Sequence, residues 1–159
     1  MNSPMNGPED ELLSPEAAEV RDLNLALWTA VEEGDLDRLG AIWADGPEAA
    51  TVTCVHPGWP VLRGRAEVLR SYALIMANTS YVQFFLTDVQ VTLDGDVAIL
   101  SCTASLLTGM GEEDGDDDTG FAGGQAVVTN VFRRMHGEWR LWLHHASPVL
   151  AEADTEDEI

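Results

Sequence analysis

The sequence predicts an α+β domain, with three N-terminal helices packed on one face of a mostly antiparallel sheet. Two observations carry this. Up to Asn78, apolar residues recur mainly at helical spacing, with one short strand-like run at 51–55. After Asn78 the pattern changes to long strand-like runs, punctuated by the turn signals Asp94-Gly95 and His136-Gly137.

Each element has a local reason. Residues 1–14 are Asn, Ser, Pro, Gly and acids with little to bury, and are expected to be disordered. Ser14-Pro15-Glu16-Ala17 starts a helix, with Ser as N-cap and Pro at the first helical position. Val20, Leu23, Leu27, Ala30 and Val31 form its apolar stripe, and Gly34 ends it. Asp35 caps a second, shorter helix through Leu36, Leu39, Ile42 and Trp43, ending near Asp45-Gly46. Residues 51–55 read as a strand and 58–64 as a turn-rich connection. Residues 65–76 form the third helix, with Val68, Leu69, Tyr72 and Ile75 on one face. Strands follow at 81–93, 97–107, 125–134 and 139–145. Between the second and third of these, residues 109–124 are a glycine- and acid-rich loop. The chain therefore reads as one domain at 15–150, with an acidic, disordered tail at 151–159.

Composition narrows the partners. The chain has 159 residues, 45% of them hydrophobic, and a formal charge of −20. Sixteen of its 28 acids crowd the N-terminus, the 112–118 loop and the C-terminus. The other 12 face eight arginines, and there is no lysine. Such a balance excludes nucleic acid and anionic membranes as expected partners. No apolar run reaches transmembrane length, and the polar, acidic start is neither a signal nor a transit peptide, so a cytoplasmic location is expected. Cys54 and Cys102 lie in apolar runs without metal-ligand spacing and read as buried thiols. The histidines lack HxH or HExxH spacing, and the acidic loop lacks the twelfth-position acid and flanking helices of a calcium loop. Neither metal nor cofactor is expected.

The chemistry-bearing phrase is Thr53-Cys54-Val55-His56-Pro57-Gly58-Trp59. His56 ends a strand-like run directly before a turn, where an imidazole can exchange a proton near neutral pH or simply hydrogen-bond its own turn. Trp59 can cover a planar ligand and Arg63 can bind a carboxylate; equally, they can be a rim contact and a surface arginine. Strand phase assigns the His144-His145 pair. With Trp139, Leu141 and Leu143 facing the core, His145 follows them inward and His144 faces away; a one-residue bulge would exchange the two.

Several phrases in order resemble the NTF2-like superfamily, within its SnoaL-like and ketosteroid-isomerase-like branch. They are Glu33-Gly34-Asp35-Leu36-Asp37, Ile42-Trp43-Ala44-Asp45, Cys54-Val55-His56-Pro57-Gly58 and Leu62-Arg63-Gly64-Arg65. Asn130-Val131-Phe132-Arg133, Trp139-Arg140 and His145-Ala146-Ser147 complete the set, which spans about residues 18–149. The resemblance implies a strongly curved mixed sheet wrapped around a long helix, forming a cone with a pocket at its open end. It also implies a homodimer through the sheet. The fold hosts isomerases, cyclases, epoxide hydrolases, dehydratases and non-catalytic modules, so it leaves function open.

Carried over residue by residue, the resemblance puts His56 at the catalytic base position and Asn130 at that of a hydrogen-bond-donating acid. It puts Leu27 where an oxyanion tyrosine stands, retains Tyr72 as a supporting tyrosine, and places Trp43 at another. With Leu27 unable to donate, ketosteroid isomerisation is not the expected reaction. The expected site is His56 and Asn130 as catalytic residues, with Trp59, Arg63, Tyr72, Phe132 and His145 in the ligand pocket and His144 as the alternative to His145. Phe84, Phe85, Phe121 and Phe132 can equally serve the core or an interface. Two functions follow: acid–base chemistry by His56 on a small apolar molecule, of isomerase, cyclase or hydrolase type; or a non-catalytic dimeric module that binds a ligand or associates with protein.

Overall fold

Ser14 starts the first helix by accepting a hydrogen bond from the Ala17 amide through its hydroxyl (3.1 Å). Helix α1 then runs over Pro15–Glu33 and stops at Gly34 (φ 69°), whose amide bonds back to Ala30 and Val31. Asp35 caps the amide of Arg38 (3.1 Å) and opens helix α2, Leu36–Ile42. Helix α3 spans Arg65–Ala77. The structure, a computed structural model, describes residues 13–109 and 121–150. The disorder expected at 1–12 and 151–159, and the loop expected at 110–120, lie outside the described residues.

Six strands form one mixed sheet: β1 Thr53–Val55, β2 Leu62–Arg63, β3 Val82–Asp94, β4 Val97–Gly109, β5 Phe121–Met135 and β6 Glu138–Pro148. Their order is β2-β1-β6-β5-β4-β3. Only the β1–β6 pair is parallel; the others are antiparallel. The fold is thus the α+β plan read from the sequence, with three departures. A 3-10 turn at Gly46–Thr51 and the two-residue β2 were not foreseen. Residues 121–124, expected in the loop, belong to β5 and pair with 106–109 of β4. Backbone pairing across two long strands holds this glycine-rich segment where side-chain burial could not.

The core lies between α1 and the inner face of the sheet, built on Val20, Leu27, Trp43, Leu100, Phe132 and Leu141, all essentially inaccessible. Arg65 closes the C-terminal end of α2. Its guanidinium donates to the carbonyls of Gly40 (2.8 Å), Trp43 (2.9 Å) and Ala44 (3.2 Å), which the helix leaves unpaired. Gly40 makes that approach possible: a Cβ there would meet the Arg65 Nη2 at 3.2 Å. Glu32 accepts a hydrogen bond from the Phe84 amide (2.8 Å), covering part of the edge strand β3. Among the described residues, no helix is long and apolar enough to cross a membrane.

One irregularity decides which side chains reach the interior. On β6, Leu143 pairs with Val131, but Leu141 pairs with Phe132, so Trp142 is an extra residue without a partner. Before it, Trp139 and Leu141 point inward; after it, His144 and Ala146 do.

Candidate functional site

The sequence leaves a void on the inner face of the sheet because it puts small residues there. Ala104, Ala126 and Ala146, on β4, β5 and β6, stand opposite the C-terminal part of α1 and the α3 residues Tyr72, Ile75 and Met76. The resulting cavity measures about 600 Å³, within the usual range for small-molecule sites. Its closed end is lined by buried Leu27, His56, Tyr72 and His144. Its open end is lined by exposed Gly34, Ser80, Tyr81 and Gln125, with Glu33 beside them.

A turn aims His56. Pro57 and Gly58 (φ 83°) occupy its centre, and the Trp59 amide donates to the His56 carbonyl at 2.9 Å. This brings the Trp59 ring edge-on to the imidazole, centroids 5.0 Å apart, while Tyr72 meets it similarly at 4.9 Å. The His56 Nε2 lies 2.9 Å from the Ser71 Oγ. Ser71 donates its single hydroxyl proton to the Val68 carbonyl (2.6 Å), so its oxygen accepts from His56. Nε2 therefore carries the proton and Nδ1 the lone pair.

His144 sits on the neighbouring strand, its ring 6.1 Å from that of His56. Its Nδ1 donates to the Asn130 Oδ1 (2.7 Å), and the Asn130 Nδ2 donates to the Asn24 Oδ1 (2.6 Å). This chain leaves the His144 Nε2 with the lone pair. Trp28 packs edge-on against the His144 ring at 5.7 Å and against Phe84 at 4.7 Å.

Burial keeps both rings neutral. It lowers the His56 pKa to about 4. Burial, followed by the proximity of His56 and His145, lowers that of His144 to about 3. Cys54, whose Sγ lies 3.5 Å from the His56 Nε2, is pushed up to about 12 by burial and stays a thiol. Burial also raises Tyr72 well above its ordinary value; its hydroxyl lies with the Cys54 thiol and the Trp43 indole. The site thus offers two uncharged imidazoles, each held through one nitrogen and able to accept a proton through the other. Among the described residues, no three His, Cys, Asp or Glu side chains gather as a metal site.

The expected residues divide into two groups. His56, Trp59 and Tyr72 line the cavity. Asn130 is fully buried behind His144 and outside the cavity lining, and it donates one amide proton to Asn24, so it positions that ring and does not reach a ligand. Arg63 is exposed on β2, opposite Thr53, and lies outside the cavity lining. Phe132 is a core residue, fully buried and likewise outside the lining. The preference for His145 is corrected: the Trp142 bulge shifts the strand phase, so His144 lines the cavity and His145 is exposed on the other face. Sequence reasoning missed Asn24 and Ser71. Both carried a signal, since each is a polar residue within a buried apolar stripe, Val20-Leu27 on α1 and Val68-Tyr72 on α3.

Helices covering one face of a mixed sheet, with a cavity between them, define the NTF2-like or cystatin-like fold. The chain belongs to the SnoaL-like domain family, whose sequence profile matches residues 20–152. It is 51% identical to a "putative dehydratase from the NTF2-like family" of Streptomyces avermitilis, with 84% of this chain and 97% of that one covered and a TM-score of 0.77. It is 29% identical to a "putative calcium/calmodulin-dependent protein kinase type II association domain" of Thiobacillus denitrificans, covering 86% and 96% of the two chains at a TM-score of 0.66. It also matches the F-box protein SKIP8 of Arabidopsis thaliana at 23% identity over 150 residues. That match takes in 94% of this chain but only 57% of the plant protein.

Proposed function

We propose that this SnoaL-like chain is a small-molecule enzyme of proton-transfer type, with His56 and His144 as its two bases. One observation carries the reading: two neutral imidazoles, each anchored through one nitrogen, converge on the closed end of a cavity of about 600 Å³. A lone pair takes a proton from carbon or oxygen of the bound molecule, and the imidazolium returns it at a second atom. The sequence is balanced without a cofactor and fits isomerase, cyclase, hydrolase or dehydratase chemistry. The name of the Streptomyces avermitilis relative makes loss of water the first reaction to assay.

The test is turnover of ring compounds small enough for the cavity. His56→Ala and His144→Phe should each reduce it by about 10²-fold or more. The acidic limb of the rate profile should fall near pH 4, not 6.5, because both bases stay unprotonated until then. Variants as active as wild type, or an acidic limb near 6.5, would overturn this assignment.

A second reading, compatible with the first, concerns the outer face of the sheet. Phe85, Ile99 and Val127 are about half exposed there (49%, 46% and 51%). With them stand exposed Thr87, Ser101, Thr129 and His145, so none of these seven is an acid or an arginine. In a chain of charge −20, a half-apolar face without acids is one where a second copy meets little local repulsion. The occupant it suits is a second copy of this chain. Sedimentation should give a dimer that Val127→Lys dissociates, and a wild-type monomer at micromolar concentration would remove the reading.

A further inference from the structure

We infer that the closed end of the cavity recognises a neutral, hydroxyl-bearing ring compound, whose O–H groups donate to His56 Nδ1 and His144 Nε2. This rests on the small-molecule reading above and names the chemistry that reading leaves open.

The inference follows from where each proton goes. His56 spends its N–H on Ser71, and His144 spends its own on Asn130. The side chains around them offer little donor capacity in return: the Cys54 Sγ lies 3.9 Å from the His56 Nδ1, and its thiol is only a weak donor. Leu27 has none, the Tyr72 hydroxyl lies with Cys54 and Trp43, and the Asn130 amide is directed at Asn24. The indole N–H of Trp28, a lining residue, is buried and without a partner. A ligand entering this end therefore meets two strong imidazole acceptors against one weak thiol and one buried indole N–H, and is best matched when it brings hydrogens itself.

That disfavours ligands whose polar groups only accept. A ketone, ether or epoxide would leave both imidazole nitrogens unpaired in a desolvated space. A carboxylate fares worse. Among the described residues no arginine lines the cavity, and Glu32 and Glu33 lie along its wall. Phenolic or alicyclic O–H groups supply what is missing, and the aromatic rings of Trp28, Trp59 and Tyr72 supply flat apolar walls for the ring that carries them.

Four probes on one frame separate the outcomes: 3,5-dihydroxybiphenyl, its dimethyl ether, biphenyl itself and biphenyl-4-carboxylate. Calorimetry on the full chain at pH 7 should show the diol binding about tenfold or more tighter than the ether, with the carboxylate weakest. In 15N spectra of histidine-labelled protein, the two proton-free ring nitrogens should shift with the diol and not with the ether. His144→Phe should bring diol and ether close to equal affinity; if that variant does not fold, the wild-type nitrogen shifts decide alone. Equal binding of diol and ether by wild type overturns the inference while the cavity remains a small-molecule site. Binding of none of the four removes that reading too, and the inference with it.

Discussion

His144 and His145 are neighbours in the chain, and the sheet sends them into different environments. His144 is buried at the closed end of the cavity, neutral, and tied through Asn130 to Asn24 on the first helix. His145 stands exposed on the outer face, opposite Thr129. Composition does not distinguish them. The extra residue Trp142 does, because side chains alternate across a strand and one inserted residue reverses every later one. The inner face holds paired polar groups among alanines and aromatics, whereas the outer face presents half-exposed Phe85, Ile99 and Val127 among threonines and a serine. On a two-sided strand, a site is a matter of phase as much as of residue type.

The sharpest test of this contrast is deletion of Trp142. Leu141 and His144 would then stand two residues apart in a regular ladder and both keep facing inward, so the loss should be confined to the contacts Trp142 makes with Thr51 and Arg133, about 3 kcal/mol or less. A deletion variant in which His144 loses its buried tautomer in 15N spectra would sink the bulge explanation.

Acid should probe the inner face next. Both inner rings have folded pKa values below the ordinary 6.5, so the unfolded chain takes up protons first. Their contribution is fully present above pH 6.5 and is lost as pH falls toward 4 and 3. The loss by pH 4 is on the order of 2–3 kcal/mol per ring. Urea titrations should show a shallower acid decline in His144→Phe than in wild type.

Asn24→Leu should cost about 1–3 kcal/mol, because it leaves the buried Asn130 amide without its acceptor. It should also release the His144 tautomer, visible in 15N shifts, which a purely packing role for Asn24 would not move. Smallest of all, His145→Ala should stay within about 0.5 kcal/mol of wild type in the monomer. A larger loss there would mean that the outer face is less independent of the interior than its exposure indicates.

Much of the fold was legible because its signals are local. Ser14, Gly34 and Asp35 act at the helix ends where capping chemistry places them, and Asp94-Gly95 turns the chain between β3 and β4. The parallel pairing of β1 with β6 has no local signature, since it joins segments from opposite ends of the domain. The site was legible to the same extent. The turn after His56 is written in Pro57-Gly58, and the cavity wall includes Trp59 and Tyr72 as expected. The His144 phase was not, because nothing in Trp139 to His145 marks which residue will go unpaired. Arg63 and Phe132 were misplaced for a related reason: proximity in sequence, or position on a strand, does not fix the distance to a cavity that three separated alanines create.

The three-residue strand β1 has a consequence for how the protein comes into being. It sets Cys54 beside His144 and thereby brings His56, just beyond its end, near the second imidazole. That pairing joins segments far apart in the chain, and its loop-closure entropy makes such contacts slow to form. The pair of facing imidazoles therefore does not exist until β1 has docked. Partial opening of this short strand would separate the two imidazoles while the long strands remain paired, so amide exchange at 53–55 would time the assembly of the cavity's closed end during refolding.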